Sequence, residues 1–384
     1  MGQDAAPIMD VRKIAVLRAN ALGDYVMGVP ALEALRAAYP QAEIVLLALE
    51  WHRRFLAGRP GPVDRVVVVP PYLGVRDELE SAPDPVRHER FFARMRRERF
   101  DVALQLHGGG RNSNPFVLRL GAHLTCGTRT PDAPPLDRWV PYIYWQREVV
   151  RWLEVAALSG ALPVTLEPRV AVTAADRAAS LAAVPEDERP LLVLHPGVTD
   201  PERRWPAERF AAVGDALAAT GARVCITGVE AERPITAAVR EAMGSDALDL
   251  TGRLGLGALT GLLGRAAVVV ANDTGPLHLA RAVGARTAGI YWHFNFINAG
   301  PMTQARHRPA ISWRVQCPIC GINRAGTTCA HHVSFVADVA ADEVIGNALE
   351  LLAEYRQEGP HPQRAGHVSP LHTRATGSTG VWAS

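Results

Sequence analysis

The sequence lacks long apolar runs, an excess of either charge and any abundance of cysteine. No stretch approaches the roughly 18 uncharged apolar residues of a spanning helix, so a helical membrane protein is not expected. Residues 1–10 are polar and contain Pro7. The apolar stretch 14–17 is too short for the core of an export signal. Five cysteines, an odd number, agree with a reducing cytoplasm. The 41 basic residues, of which only Lys13 is lysine, meet 39 acidic ones for a net charge of +2. That balance argues against nucleic acid as the main partner. No Asp-x-Asp pair stands in a metal-binding setting. The string His107-Gly108-Gly109-Gly110 has no Gly-x-Ser-x-Gly elbow to accompany it, which sets aside a lipase-type oxyanion loop.

What is present is a repeated β–loop–α alternation. The length of 384 residues exceeds what one hydrophobic core usually serves. Buried-type strands are predicted at 13–17, 43–49, 63–69, 100–106 and 121–129. Four prolines between 131 and 141 break the pattern. A helix at about 145–158 and a linker at 162–176 follow. The alternation restarts with strands at 191–194, 223–226, 247–250, 268–270 and 287–292, and a final helix covers 342–355. The expected fold is α/β, with two Rossmann-like parallel-sheet domains facing a central cleft. Their predicted bounds are 1–165 and 166–356. The polar stretch 357–384 is expected to be a disordered tail.

The stretch 268–282, VVVANDTGPLHLARA, organises the rest. Its strand ends at Asn272 and Asp273. Thr274 is placed as N-cap of a helix opened by Gly275 and Pro276. Such a turn aims free N–H groups, and the positive end of the helix dipole, at one spot that suits phosphate. His278 lies in the first helical turn, near the same spot. Earlier, Asp24 follows a strand end beside Gly23. A carboxylate there can accept a proton from an attacking hydroxyl, or it can simply cap the helix that follows. Arg203 and Arg204 compete as cations able to offset charge on a leaving diphosphate, with Arg203 preferred. Trp205 reads as packing, and Pro206 as helix N1. Thr199 can reach phosphate, and either Glu230 or Glu232 can bond a ribose.

Three blocks carry a resemblance. They are Leu22-Gly23-Asp24 with Gly28-Val29-Pro30-Ala31-Leu32-Glu33-Ala34-Leu35-Arg36; His195-Pro196-Gly197 with Arg203-Arg204-Trp205-Pro206; and Asn272 to Ala280. In this order, over about residues 12–355, the chain resembles the heptosyltransferase family, glycosyltransferase family 9. The resemblance implies a GT-B fold and inverting transfer of a sugar, heptose from ADP-heptose, to a glycolipid core or another glycan. It implies Asp24 as general base and no cofactor required for transfer. It puts Asp273, Thr274, Gly275 and His278 at the donor, with Thr199 and the two glutamates. Arg18, His107, Arg111 and Asn112 are put at the acceptor. A lipid-linked acceptor implies peripheral contact with the inner membrane. One departure is 291–298, YWHFNFIN, which is aromatic where the family pattern is small. Two alternatives share the architecture: a non-catalytic nucleotide-sugar-binding protein and a sugar-nucleotide epimerase. The oligomeric state is left open.

Cys317, Cys320, Cys329 and His331 form a ligand set suited to a tetrahedral structural zinc. Free thiols or a labile disulfide are the other reading. Cys126 and Cys225 read as small buried residues.

Overall fold

The computed structural model of the protein describes residues 10–76 and 84–359; the expected tail from residue 360 lies outside them. The first half runs β1 (Lys13–Leu17), α1 (Leu22–Ala38), β2 (Glu43–Ala48), α2 (Glu50–Leu56), β3 (Arg65–Val68), α3 (Pro85–Arg97), β4 (Val102–Gln105), α4 (Ser113–Leu118), β5 (Leu124–Arg129), β6 (Arg138–Pro141) and α5 (Glu148–Ala157). The second runs α6 (Ala174–Ala183), β7 (Leu191–His195), α7 (Ala207–Ala218), β8 (Arg223–Ile226), α8 (Arg233–Ala242), β9 (Leu248–Asp249) and α9 (Leu256–Arg265). It continues with β10 (Val268–Asn272), α10 (Gly275–Ala282), β11 (Arg286–Trp292), α11 (His293–Ala299), β12 (His307–Ser312) and α12 (Ala341–Glu358).

Each half forms one six-stranded sheet, ordered β3-β2-β1-β4-β5-β6 and β12-β11-β10-β7-β8-β9. The pairings are parallel throughout. The β1, β4, β7 and β10 strands are apolar and almost wholly buried, as sheets covered on both faces require. Both sheets reverse strand order at their first strand, between β1 and β4 and between β7 and β10. Loops after such strands open the crevice where α/β sheets bind ligands. The first block opens α1, after the loop that follows β1, and the other two begin at the last residues of β7 and β10.

Two edge strands escaped the sequence reading. β6 ends at Pro141, and β12 contains Pro309, opposite Gly289 of β11. Proline is tolerated at a sheet edge because no further strand needs its N–H. The end of the expected linker is the start of α6, which packs on α9. Its signal was present: the Thr173 hydroxyl accepts from Asp176 N at 3.1 Å, and the Asp176 carboxylate accepts from Thr173 N at 2.9 Å, a complete capping box.

The two halves share apolar core, since Leu279 of α10 and Val283, just after it, join the cluster that holds Val26, Leu32 and Trp152. One buried ion pair also spans them. Arg59 Nη1 stands 2.6 Å from Asp176 Oδ2, and Nη2 3.1 Å from Oδ1, with side chains 5% and 6% exposed. Arg59→Met leaves Asp176 buried without its cation. The expected loss is ~3–5 kcal/mol in denaturant unfolding. Burial alone would raise the Asp176 pKa, but Arg59 and the Thr173 bonds outweigh it and hold the carboxyl below its ordinary 3.8. A lowered folded pKa stabilises fully above the unfolded value and is lost as pH falls through the folded one. The acid limb of wild-type stability below about pH 3.8 is therefore expected to be steeper than that of Arg59→Met; equal limbs would remove this pair from the account.

Candidate active site

The first turns of α1 and α10 meet head to head, and two glycines permit it. A Cβ on Gly23 would stand 2.9 Å from His278 Cδ2, and one on Gly275 would stand 3.1 Å from Leu22 Cβ and 3.4 Å from Gly23 N. A side chain at Gly23 would displace the His278 ring, and one at Gly275 would require the Leu22 side to give by a few tenths of an ångström. The Leu-Gly-Asp and Asp-Thr-Gly blocks, 250 residues apart in the chain, are thereby brought to one place.

On the α1 side, Asp24 is at the third helical position. Its Oδ2 accepts from the Ala21 N–H at 3.2 Å, so it does serve the helix start. Its side chain remains 41% exposed, with room for a substrate hydroxyl. Arg18 holds it from behind. Nε donates to the Asp24 carbonyl at 2.9 Å, Nη1 to the Leu106 carbonyl at 2.6 Å, and Nη2 reaches Asp24 Oδ1 at 3.4 Å and Glu148 Oε2 at 3.3 Å. The guanidinium also lies 4.7 Å from the Trp152 ring centroid. Arg18 was expected to face an acceptor. Its side chain is 3% exposed, and its contacts are with Asp24, Leu106, Glu148 and Trp152.

On the α10 side, Asp273 is buried. Its Oδ1 lies 3.1 Å from His278 Nε2, without the alignment of a good hydrogen bond. Arg203 Nη1 donates to the Asp273 carbonyl at 3.2 Å and to Oδ2 at 3.4 Å. Burial raises the Asp273 pKa, but His278 and Arg203 outweigh burial and hold it below the usual range. The carboxylate therefore stays charged between the Arg203 guanidinium and the His278 ring. Thr274 is the N-cap residue, but its hydroxyl donates to the Asn272 carbonyl at 3.2 Å and makes no cap bond. The start of α10 therefore carries no side-chain cap bond from Thr274, which suits an anion there.

Asn272 ties the second block to the third. Its Oδ1 accepts from Trp205 N at 3.2 Å, and its Nδ2 donates to the Pro196 carbonyl at 2.8 Å. Trp205 is buried, with Nε1 on the Val339 carbonyl at 3.0 Å, the packing role expected of it. The two glutamates separate. Glu230 is exposed and paired with Arg233 at 2.6 Å. Glu232 presses against the β7 and β8 strand ends, so that a Cβ on Gly197 would lie 2.2 Å from its Cδ. Its Oε2 accepts from Val229 N at 2.8 Å. Thr199 is exposed beside the same strand end.

The family model for glycosyltransferase family 9 (heptosyltransferase) matches residues 88–315, more than half of the chain. The chain belongs to glycosyltransferase family 9. The lipooligosaccharide heptosyltransferase 2 of Haemophilus ducreyi is 23% identical, over 89% of this chain and 99% of that protein. A family 9 glycosyl transferase from Veillonella parvula superposes with TM-score 0.74 at 22% identity, covering 91% of this chain and 99% of that one. The Escherichia coli ADP-heptose lps heptosyltransferase II superposes at 0.71 and 19% identity, covering 90% and 99%. The fold is thus GT-B and the chain is a glycosyltransferase.

In this family 9 enzyme the glycine-rich loop after β4 borders a cavity of about 430 Å³, whose lining includes Asn20, His107, Arg111, Asn112, Asp132 and Tyr142. Gln105 holds the loop, its Nε2 donating to Ser113 Oγ at 2.7 Å and to the Gly108 carbonyl at 3.0 Å. His107 Nδ1 accepts from Ala19 N at 3.3 Å. Arg111 is exposed, 3.5 Å from Asp132. Three expected acceptor residues thus share one hollow, and Arg18 does not line it.

Glu148 was missed. It binds Arg18 and accepts from Trp152 Nε1 at 2.6 Å, but in sequence it is one acid at the start of an amphipathic helix. The aromatic stretch also has a role. Phe294 packs on Trp145 with centroids 4.8 Å apart, and the Arg147 guanidinium lies 4.6 Å from the Phe296 centroid. It forms α11, a bridge back to the segment before α5. Cys317, Cys320, Cys329 and His331 place their ligand atoms within 4.8 Å of one another. No helix among the described residues is long and apolar enough to cross a membrane.

Proposed function

We propose that this glycosyltransferase moves heptose from ADP-heptose to a hydroxyl of a lipid-linked core glycan, with inversion at the anomeric carbon. The observation that carries the reading is the meeting of Asp24 with the Asp273–Thr274–Gly275 turn across Gly23. The names borne by the relatives, ADP-heptose and lipopolysaccharide or lipooligosaccharide heptosyltransferase 2, supply the donor and acceptor classes.

In this reading the acceptor domain is 1–165 and the donor domain 166–356. The acceptor sits in the hollow of His107, Arg111 and Asn112, opposite the donor. Asp24 takes the hydroxyl proton as that oxygen forms its bond to C1. The bond from C1 to the β-phosphate oxygen breaks on the opposite face, and ADP leaves. Arg203, the N–H groups of Gly275 and Leu277, and the α10 dipole take up the growing phosphate charge. Thr199 adds a hydroxyl, and His278 and Asp273 border the sugar. Glu232, not Glu230, faces the ribose. These protein groups balance the diphosphate, so transfer needs no cofactor. The four-ligand cluster holds a structural zinc away from the reacting atoms. A lipid-linked acceptor places the enzyme at the inner face of the membrane.

A thermal-shift titration with ADP-, UDP- and GDP-sugars tests this. Ligand binding to the folded state raises the melting temperature by mass action, worth ~2.7 kcal/mol at a hundred times Kd. Selective stabilisation by ADP and ADP-heptose is expected. Stabilisation by UDP or GDP compounds alone would overturn the donor, and stabilisation without turnover on any glycan would favour a binding module.

A further inference from the structure

We infer that the cysteine–histidine knuckle is a metal-clamped brace that positions Arg203, with Arg324 and Glu202 as the linking pair. This rests on the donor-site and zinc assignments proposed above. The knuckle begins as a tight hairpin. Cys317 N donates to the Ile322 carbonyl and Gly321 N to the Cys317 carbonyl, both at 2.9 Å. Gln316 and Asn323 bridge antiparallel, and Gly321 takes φ +72°. This turn presents Cys317 and Cys320 to one point, where Cys329 and His331 complete a three-sulfur, one-nitrogen set. That set suits zinc in a closed tetrahedral site.

Three contacts run from this segment to the two neighbours of Arg203. Arg324 grips Glu202 with two bonds, Nη1 to Oε1 at 2.8 Å and Nη2 to Oε2 at 2.9 Å. The pair is largely buried, at 8% and 12% exposure. Phe335 N donates to the Glu202 carbonyl at 2.8 Å, and Ser334 Oγ to the Arg204 carbonyl at 2.5 Å. Residues 202 and 204 are thus both tied down, and Arg203 between them reaches Asp273. Arg324 Nη1 also donates to Cys329 Sγ at 3.4 Å. Three thiolates around a divalent metal carry a net charge of −1, and this guanidinium offsets it. The same guanidinium therefore senses the metal site and holds the Arg203 turn. Between β12 and α12 no helix or strand stabilises the segment, so the metal supplies the cross-link that loop entropy opposes. Partners around metal ligands commonly change affinity or activity by 10–100-fold when removed.

The experiment uses the full chain. Elemental analysis is expected to find one zinc per chain, and cobalt(II) exchanged into it should give the visible spectrum of a tetrahedral thiolate site. Isothermal calorimetry then measures ADP, and initial rates give kcat and KM. Arg324→Gln is expected to keep the metal, to lower the melting temperature because Glu202 is left largely buried without its cation, and, in protein still folded at the assay temperature, to lower kcat at least roughly tenfold and weaken ADP; Arg324→Lys should recover part of the loss. Cys320→Ser, at the exposed ligand, is expected to lose metal and show the same kinetic defect. Absence of bound zinc together with failure to take up cobalt overturns the clamp. Metal-bound Arg324→Gln with wild-type kcat and ADP affinity overturns the brace. Wild-type protein that binds metal but not ADP overturns the donor reading, and with it the purpose assigned to the brace.

Discussion

Asp24→Asn is expected to lower kcat by roughly 10²–10⁴-fold, the range for loss of a general base, and to leave ADP affinity unchanged. The substitution is well matched to the site. Asparagine keeps an oxygen that can accept from the Ala21 N–H, as Asp24 Oδ2 does at 3.2 Å, so the start of α1 survives. It removes the charge that accepts the proton and that Arg18 faces at 3.4 Å. Asp24→Ala removes both functions, and should add a stability loss of ~0.3–1 kcal/mol for the missing acid at a helix start. Comparing the two separates capping from catalysis. Rates with donor and glycan acceptor, melting curves and calorimetry with ADP give the three readouts. A folded Asp24→Asn protein with full turnover would remove Asp24 as base.

Arg203→Ala is expected to cost roughly 10²–10³-fold in kcat, the scale for one donor aimed at charge that develops in the transition state. Here the loss has a second origin. Arg203 Nη1 is one of two side-chain partners of buried Asp273, the other being the His278 ring. Without it the carboxylate keeps only His278, and the turn before α10 loses its tie to the Pro201–Arg203 turn. Arg203→Lys should restore part of the rate, since a point charge replaces a forked donor. Arg204→Ala should change it little, because among the described residues the Arg204 side chain makes no contact matching that of Arg203 with Asp273. Similar losses in the two alanine variants would return the role to either arginine.

The Asn272–His278 half of the candidate site was the more legible in sequence. A β-branched run, a polar turn and Gly-Pro opening a helix dictate a strand end and a helix N-terminus locally, whatever the rest of the chain does. The same holds for the alternation that revealed two parallel sheets. Edge strands were harder, since β6 and β12 carry proline and polar residues that a central strand would exclude. Helix α6 was legible through Thr173 and Asp176, but its first turn fell at the end of an apparent linker.

What the sequence by itself determined is therefore the fold class, the strand-end turns and the residue types gathered at them. Each follows from contacts within a few positions of the chain. The tertiary structure alone decided which of those residues act together. Arg18 reads as a free charge until Glu148, 130 positions later, and Asp24 enclose it. Glu230 and Glu232 are equivalent in sequence until Arg233 takes one and Gly197 admits the other. Gly23 and Gly275 look like ordinary loop glycines until the two helix ends meet. Periodicity records which face of an element is buried, but it carries no record of the distant surface that buries it.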